Sequence, residues 1–351
     1  MKKILITIAL VFLSVAGATE SLEVTSRLLP PLLAAVTNNA VVSVNAGKHE
    51  FVVSLSGLGA GRTHADTTAA TYVFDGLEWR EASPVPGGVG RLASVAAAAN
   101  ELVFVFGGYT VAEDGSEVST PWVHAFGPRS GRFYERQSMP VPVDDAVAVS
   151  YRDRFIYLVS GWHDLGNVNL VQLYDTHNDS WSQATPTPGR GVFGHAGGIV
   201  GNTIIYCDGV AVSANADRRR DFVANNECFA GIIDADDPRR IDWRVLAPHP
   251  GRPRYRMAAA GVDELGAVAF VGGSENPYNY NGIGYNGEPS QPVSDILFYE
   301  LETQSWSTRT HDAARSMDHR GLVEFDGNWV TVGGMLQDQQ VTDGVVAYEL
   351  R

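Results

Sequence analysis

Between Ser274 and Pro292 the chain reads SENPYNYNGIGYNGEPSQP, with Tyr278, Tyr280 and Tyr285 alternating with Asn276, Asn279, Asn281 and Asn286. Aromatic faces stack on sugar rings and amides bond neighbouring hydroxyls, so this composition suits a carbohydrate or glycan. The alternative is a self-packed loop in which Asn281-Gly282 and Asn286-Gly287 only turn the backbone. A second group is scattered in sequence: Arg91, Asp144, Asp145, His195, Arg254, Arg256, Asp318, His319 and Arg320. It offers cations for a carboxylate and side chains that move protons. Glu275, Asp318 and His319 are the catalytic candidates. Arg256, Arg320, Arg91 and His195 are binding candidates, together with Asn276, Tyr278, Tyr280, Tyr285 and Asn286. Otherwise these arginines bridge repeats through carbonyls and carboxylates.

Other chemistry is excluded. No GxSxG, HExxH, GxxxxGK[ST], dinucleotide-binding fingerprint or CxxC occurs, and the nine histidines lack ligand spacing. No metal and no cofactor is expected. The formal net charge is −14, and without Lys2 and Lys3 it becomes −16, from 24 basic and 40 acidic residues. That charge argues against nucleic acid or an anionic membrane as partner, and it keeps an exported protein soluble. Arg218-Arg219-Arg220 reads as a solvated loop tip.

These residues are positioned by a repeat. Six apolar runs each stop on glycine: Val53–Gly57, Leu102–Gly108, Ile156–Gly161, Ile204–Gly209, Val268–Gly273 and Trp329–Gly334. The steps between the last glycines are 51, 53, 48, 64 and 61, a repeated supersecondary unit that tolerates insertion. Each unit parses into four strands. In the second, they are Leu92–Ala99, Glu101–Phe106, Trp122–Phe126 and Phe133–Gln137. Trp79, Trp181, Trp243 and Trp306 recur on the outer strand, with Phe133 in their place once. In such a meander, the loop after each glycine and the segment entering the next unit lie on one face. Ser274–Pro292 and the scattered charges therefore meet there.

Apolar run, Gly-Gly, variable loop, aromatic-Asp and Trp together resemble the kelch repeat, the blade of a β-propeller. The resemblance implies an all-β, six-bladed kelch-type β-propeller over residues 19–351. The sixth copy lacks a fourth strand, and Leu22–Leu29, ending in Pro30-Pro31, is expected to complete the last blade and remove the open edges. Cys207 and Cys228 lie on neighbouring strands of the fourth copy, which allows a disulfide; two free thiols are the alternative. Copper oxidation of the propeller type would need a cysteine cross-linked to tyrosine, and these cysteines are better used as a pair.

Met1–Ala18 has two lysines, an apolar run Ile4–Val15 and Ala16-Gly17-Ala18, the order of a cleaved export signal. A periplasmic location is expected, with secretion as the alternative and no membrane insertion after cleavage. The signal, six blades, closing strand and Asn/Tyr-rich fifth loop are similar to exported bacterial kelch propellers of the sialic acid mutarotase (N-acetylneuraminate epimerase) type. That resemblance implies an isomerase whose acid–base Glu follows the blade-four glycine; here Val210 follows Gly209, and Glu275 lies beyond the blade-five Gly-Gly. Two functions follow: metal-independent sugar mutarotation or epimerisation, and non-catalytic binding of a protein or envelope glycan.

Overall fold

The computed structural model describes residues 24–215, 217 and 220–350. The targeting segment Met1–Ala18, the start of the closing strand at Leu22, and Arg218 and Arg219 lie outside the described residues. Six four-stranded antiparallel sheets form a ring, each with its first strand innermost. The innermost strands are Ala40–Ala46, Val95–Ala99, Val147–Tyr151, Ala196–Val200, Ala258–Val262 and Val323–Phe325.

The second strands explain both the apolar runs and the ring. In Leu102–Phe106, Val103 and Val105 pack into the cluster shared with blade one, whereas Phe104 and Phe106 pack into the cluster shared with blade three. In Phe155–Val159, Ile156 and Leu158 face blade two, and Tyr157 and Val159 face blade four. A strand buried on both faces needs an unbroken apolar sequence rather than an alternating one. Each interface between neighbouring blades is one such cluster, six in all.

The recurring tryptophans fasten the ring at its perimeter. Each indole N–H donates to a carbonyl just beyond the preceding blade's outer strand: Trp181 to Gln137, Trp243 to Thr185, Trp306 to Ala247 and Trp79 to Pro30, at 2.8–3.0 Å. The last of these joins blade one to the closing segment. Ser26–Leu28 pairs antiparallel with Val345–Tyr348 and completes the sixth sheet, so the ring is closed by a strand from the chain's beginning.

The double glycine is structural. Gly107 and Gly108 have φ of +53° and +82°, and a Cβ on them would lie 2.1 Å from the Val143 carbonyl oxygen and 2.7 Å from that of Leu92. Blades one, three and four place Ser56, Ser160 and Asp208 at the first position, all with positive φ. Asp208 brings a carboxylate into the interior, where its Oδ2 lies 2.7 Å from His249 Nε2 and accepts the Arg254 amide at 2.7 Å.

Candidate functional site

Each blade's entering segment makes one left-handed residue before its innermost strand. These are Asn38, Ala93, Asp145, Gly194, Arg256 and Asp318, with φ between +50° and +69°. Such a φ costs a non-glycine residue roughly 1–2 kcal/mol, least for Asn and Asp. It is held here by bonds from blade to blade. The Asp145 amide donates to the Ala93 carbonyl at 3.0 Å, Gly194 to Asp145 at 2.9 Å, Arg256 to Gly194 at 2.8 Å, and His319 to Arg256 at 3.2 Å. The Ala93 amide instead donates to Asn38 Oδ1 at 2.6 Å. This girdle turns the side chains toward the axis.

At the axis, two guanidinia and two carboxylates interlock. Arg256 donates to Asp145 Oδ2 at 2.6 Å and to Asp318 Oδ1 at 3.0 Å. Arg320 lies 2.7 Å from Asp145 Oδ1 and donates to Asn38 Oδ1 at 3.0 Å. Thr37 Oγ1 donates to Asp318 Oδ2 at 2.6 Å. No charged side chain here is more than 3% exposed. Burial opposes the Asp318 carboxylate, yet Arg256, Arg320 and the Thr37 hydroxyl together bring its pKa below the ordinary value. The network separates two cavities.

On one side runs the central channel, about 400 Å³, walled by small residues such as Ser43, Ala96, Ala98, Gly198 and Ala260. His195 and His319 line its inner end, with Nε2 of His195 3.0 Å from the Val159 carbonyl and Nε2 of His319 2.9 Å from Ser316 Oγ. Burial lowers both imidazoles to about 4, which keeps them neutral.

On the other side is a mouth pocket of about 260 Å³, built by blades two to five. Its walls are hairpins that follow the glycines. Tyr109–Val111 pairs with Glu117–Ser119, Trp162–His163 with Gly166–Asn167, and Val210–Ser213 with Asp221–Ala224. Neighbouring hairpins are tied together. The Ser119 amide donates to Asp164 Oδ1 at 2.7 Å, and Asn167 Nδ2 donates to the Val210 carbonyl at 2.7 Å. Alternation along Glu117–Ser119 aims Glu117 and Ser119 to one side, where Ser119 Oγ donates to Asp144 Oδ2 at 2.7 Å.

The rest of the wall is aromatic. Phe222 stacks on Tyr285 with centroids 4.2 Å apart, Phe193 meets Trp162 edge-on at 5.4 Å, and Tyr109 and Tyr280 also face the pocket. The Arg220 guanidinium lies 4.9 Å over Trp162 and 5.7 Å over Phe222. Burial raises the Asp144 carboxyl well above the carboxylate range, and the neighbouring Asp145 charge adds to this, so Asp144 favours its neutral form. Glu117 is open to water within the concavity, but the surrounding walls desolvate it and raise its pKa against the pull of Arg256.

Six sheets around a channel, closed by a strand from the other end of the chain, decide the architecture. This chain is a six-bladed kelch-repeat β-propeller. No family model matches it. Among curated proteins it is similar to Kelch-like protein 15 of Homo sapiens, 22% identical over 250 residues that make up 71% of this chain and 40% of that protein. The Mus musculus counterpart is 28% identical over the same shares, and Kelch-like protein 36 of Bos taurus is 26% identical over 73% of this chain and 37% of that protein. The matched region thus spans about two fifths of these relatives' length. Among solved structures, that of YjhT superposes with a TM-score of 0.69 at 15% identity, covering 91% of this chain and 97% of that one.

The propeller distributes the sequence candidates among several places. Arg256 lines the mouth, while Asp318 and Arg320 lie in the interlocked network and His195 and His319 at the channel's inner end. Tyr280 and Tyr285 reach the mouth, but Tyr278 is fully buried beneath it, edge-on to Tyr255 at 5.1 Å and 5.2 Å from Arg256. Asn276 donates to Asn286 Oδ1 at 3.3 Å and to the Glu288 carbonyl at 3.1 Å, and so shapes the loop from within. Glu275 is exposed outside the pocket wall, 4.0 Å from Arg252. Arg91 is buried against Trp122 and donates to the Gly107 carbonyl at 2.8 Å.

Cys207 and Cys228 are direct cross-strand partners and form a disulfide at the base of the Val210–Ala224 hairpin. Among the described residues no group of three or more His, Cys, Asp or Glu side chains is arranged to hold a metal ion. Sequence reasoning did not single out Glu117, Trp162, Phe193 or Phe222. The available signal was their position in insertions and entering segments that share one face.

Proposed function

We propose that the mouth pocket binds a carbohydrate and, on a reducing sugar, catalyses metal-independent mutarotation. One observation carries this reading: Glu117, a carboxyl whose pKa is raised by the walls around it, faces a pocket walled by stacking aromatics. Ring opening moves the proton of the anomeric hydroxyl to Glu117 as the bond between C1 and the ring oxygen breaks. The ring oxygen takes a proton from the neutral Asp144 carboxyl, and an open-chain carbonyl results. Reclosure on the other face of that carbonyl returns both protons and yields the other anomer. The resemblance to sialic acid mutarotases stated from the sequence supports the reaction class.

The exported, periplasmic location belongs to the same proposal. It is supported by the residue order of Met1–Ala18 and by the Cys207–Cys228 disulfide, a bond that persists in oxidising compartments. A non-catalytic glycan- or protein-binding face is the second reading, favoured by Val118, Leu165 and Val223, apolar residues exposed on the three hairpins that frame the mouth.

The test is anomeric exchange by NMR with reducing sugars, sialic acid among them. Faster exchange at catalytic concentrations of the full chain is expected. Sugar binding without faster exchange contradicts the isomerase, and no interaction with any sugar contradicts the carbohydrate reading and favours a protein partner.

A further inference from the structure

The charge and walls of the mouth select a class of ligand, an inference that rests on the carbohydrate reading above. Within and beneath the pocket lie four carboxyls, from Glu117, Asp144, Asp145 and Asp318. Two guanidinia, Arg256 and Arg320, are engaged with Asp145 and Asp318. Glu117 and the neutral Asp144 therefore have no guanidinium bonded to them on the inner wall, although the charges of Arg256 and Arg220 act on Glu117. A ligand carboxylate there would meet carboxyls, with the nearby buried arginines already bonded.

The rim supplies an independent observation. Arg220 lies over two rings, 4.9 Å from the centroid of Trp162 and 5.7 Å from that of Phe222, and its charge also reaches Glu117. A cation over an aromatic face is attracted by the ring quadrupole, most strongly at tryptophan. The pocket thus already draws one cation, the chain's own, to its aromatic edge. A compact ammonium could go deeper and press on the rings and Glu117 at once, whereas the tethered Arg220 guanidinium lies on the rings and acts on Glu117 only through its charge.

We propose that the mouth takes a ligand carrying a protonated amine, a sugar with a free amino group. Its ammonium would lie against Glu117, its ring on the Phe222–Tyr285 wall, and Arg220 would be a cap that the ligand displaces. The covalent chemistry is that of the anomeric centre described above and requires no further reactant.

The test is a fluorescence or NMR titration of the full chain at neutral pH with glucosamine, N-acetylglucosamine, glucose, glucuronate and choline. Glucosamine is expected to bind about tenfold more tightly than N-acetylglucosamine or glucose, the increment of one additional charged contact. Glu117→Gln should remove that advantage, and Arg220→Ala should tighten glucosamine binding, because the ligand no longer displaces a cation from the rings. Glu117 is open to solvent, and equal melting temperatures for the variant and parent will show that its fold is intact. Glucuronate or N-acetylglucosamine binding as tightly as glucosamine overturns the inference and leaves the carbohydrate reading standing. Choline binding without any sugar keeps the ammonium site and sinks the carbohydrate reading. Silence from all five ligands overturns both.

Discussion

The interlocked network and the mouth pocket share the axis of the ring and even share Asp145 and Arg256, yet they use charge in opposite ways. In the network each carboxylate meets guanidinium and hydrogen-bond donors, and burial is compensated by partners. In the mouth, Asp144 is held by one hydroxyl, Glu117 is raised by its surroundings, and Arg220 lies on rings. Matched charge closes the scaffold. Unmatched charge beside open volume is where a ligand can supply the missing partner.

Acid should give the largest effect, and should strike the scaffold. His195 and His319 have pKa values of about 4, depressed by burial from an ordinary value near 6.5. A depressed value means that their contribution to stability is complete above the unfolded value and is lost as pH falls from about 6.5 toward 4. At the lower limit the loss is roughly 3 kcal/mol for each. Denaturant unfolding at pH 7 and pH 4 measures it, and His319→Gln should shrink the difference. An unchanged difference would mean that the channel end is hydrated and the comparison too sharp.

Arg256→Ala comes next. It leaves Asp145 and Asp318 short of a buried partner and should cost about 3–5 kcal/mol in chemical denaturation. A cost under 1 kcal/mol would show that water replaces the guanidinium, and would blur the line between network and pocket. Replacing Cys207 and Cys228 together by serine should cost about 3 kcal/mol, as expected for a closed loop of this size. The added hydrogen exchange should concentrate in the Val210–Ala224 hairpin, which carries the Phe222 and Arg220 of the mouth. Exchange spread evenly over all blades would show that the disulfide does not govern the mouth in particular.

The fold was legible because its information is local and repeated. Val103 and Phe104 point to opposite neighbours, and the run that contains them recurs in phase down the chain. The tryptophan positions and the closing strand were legible for the same reason, although the strand ends moved: Trp122–Phe126 became Val123–Gly127. The disulfide followed from strand adjacency. The network was only half legible. Arg256, Arg320, Asp145 and Asp318 are visible as candidates, but their matching depends on contacts across 62 and 111 residues that no local pattern encodes. Glu117 was hidden differently: it is one of 40 acidic residues and gains its environment only when Trp162, Phe222 and Tyr285 arrive from three other blades. The loop around Tyr278 showed the converse, since half of its unusual composition serves its own packing.

The smallest stability effect carries the most weight for function. The decisive measurement is the anomeric exchange rate and the unfolding free energy of Glu117→Gln on one preparation. The account predicts that enzyme-dependent exchange disappears while stability stays within about 0.5 kcal/mol of the parent, as for a solvent-open side chain. Exchange that persists at the parental rate, or a stability loss comparable to that of Arg256→Ala, would contradict the division of the axis into a closed scaffold and an open site.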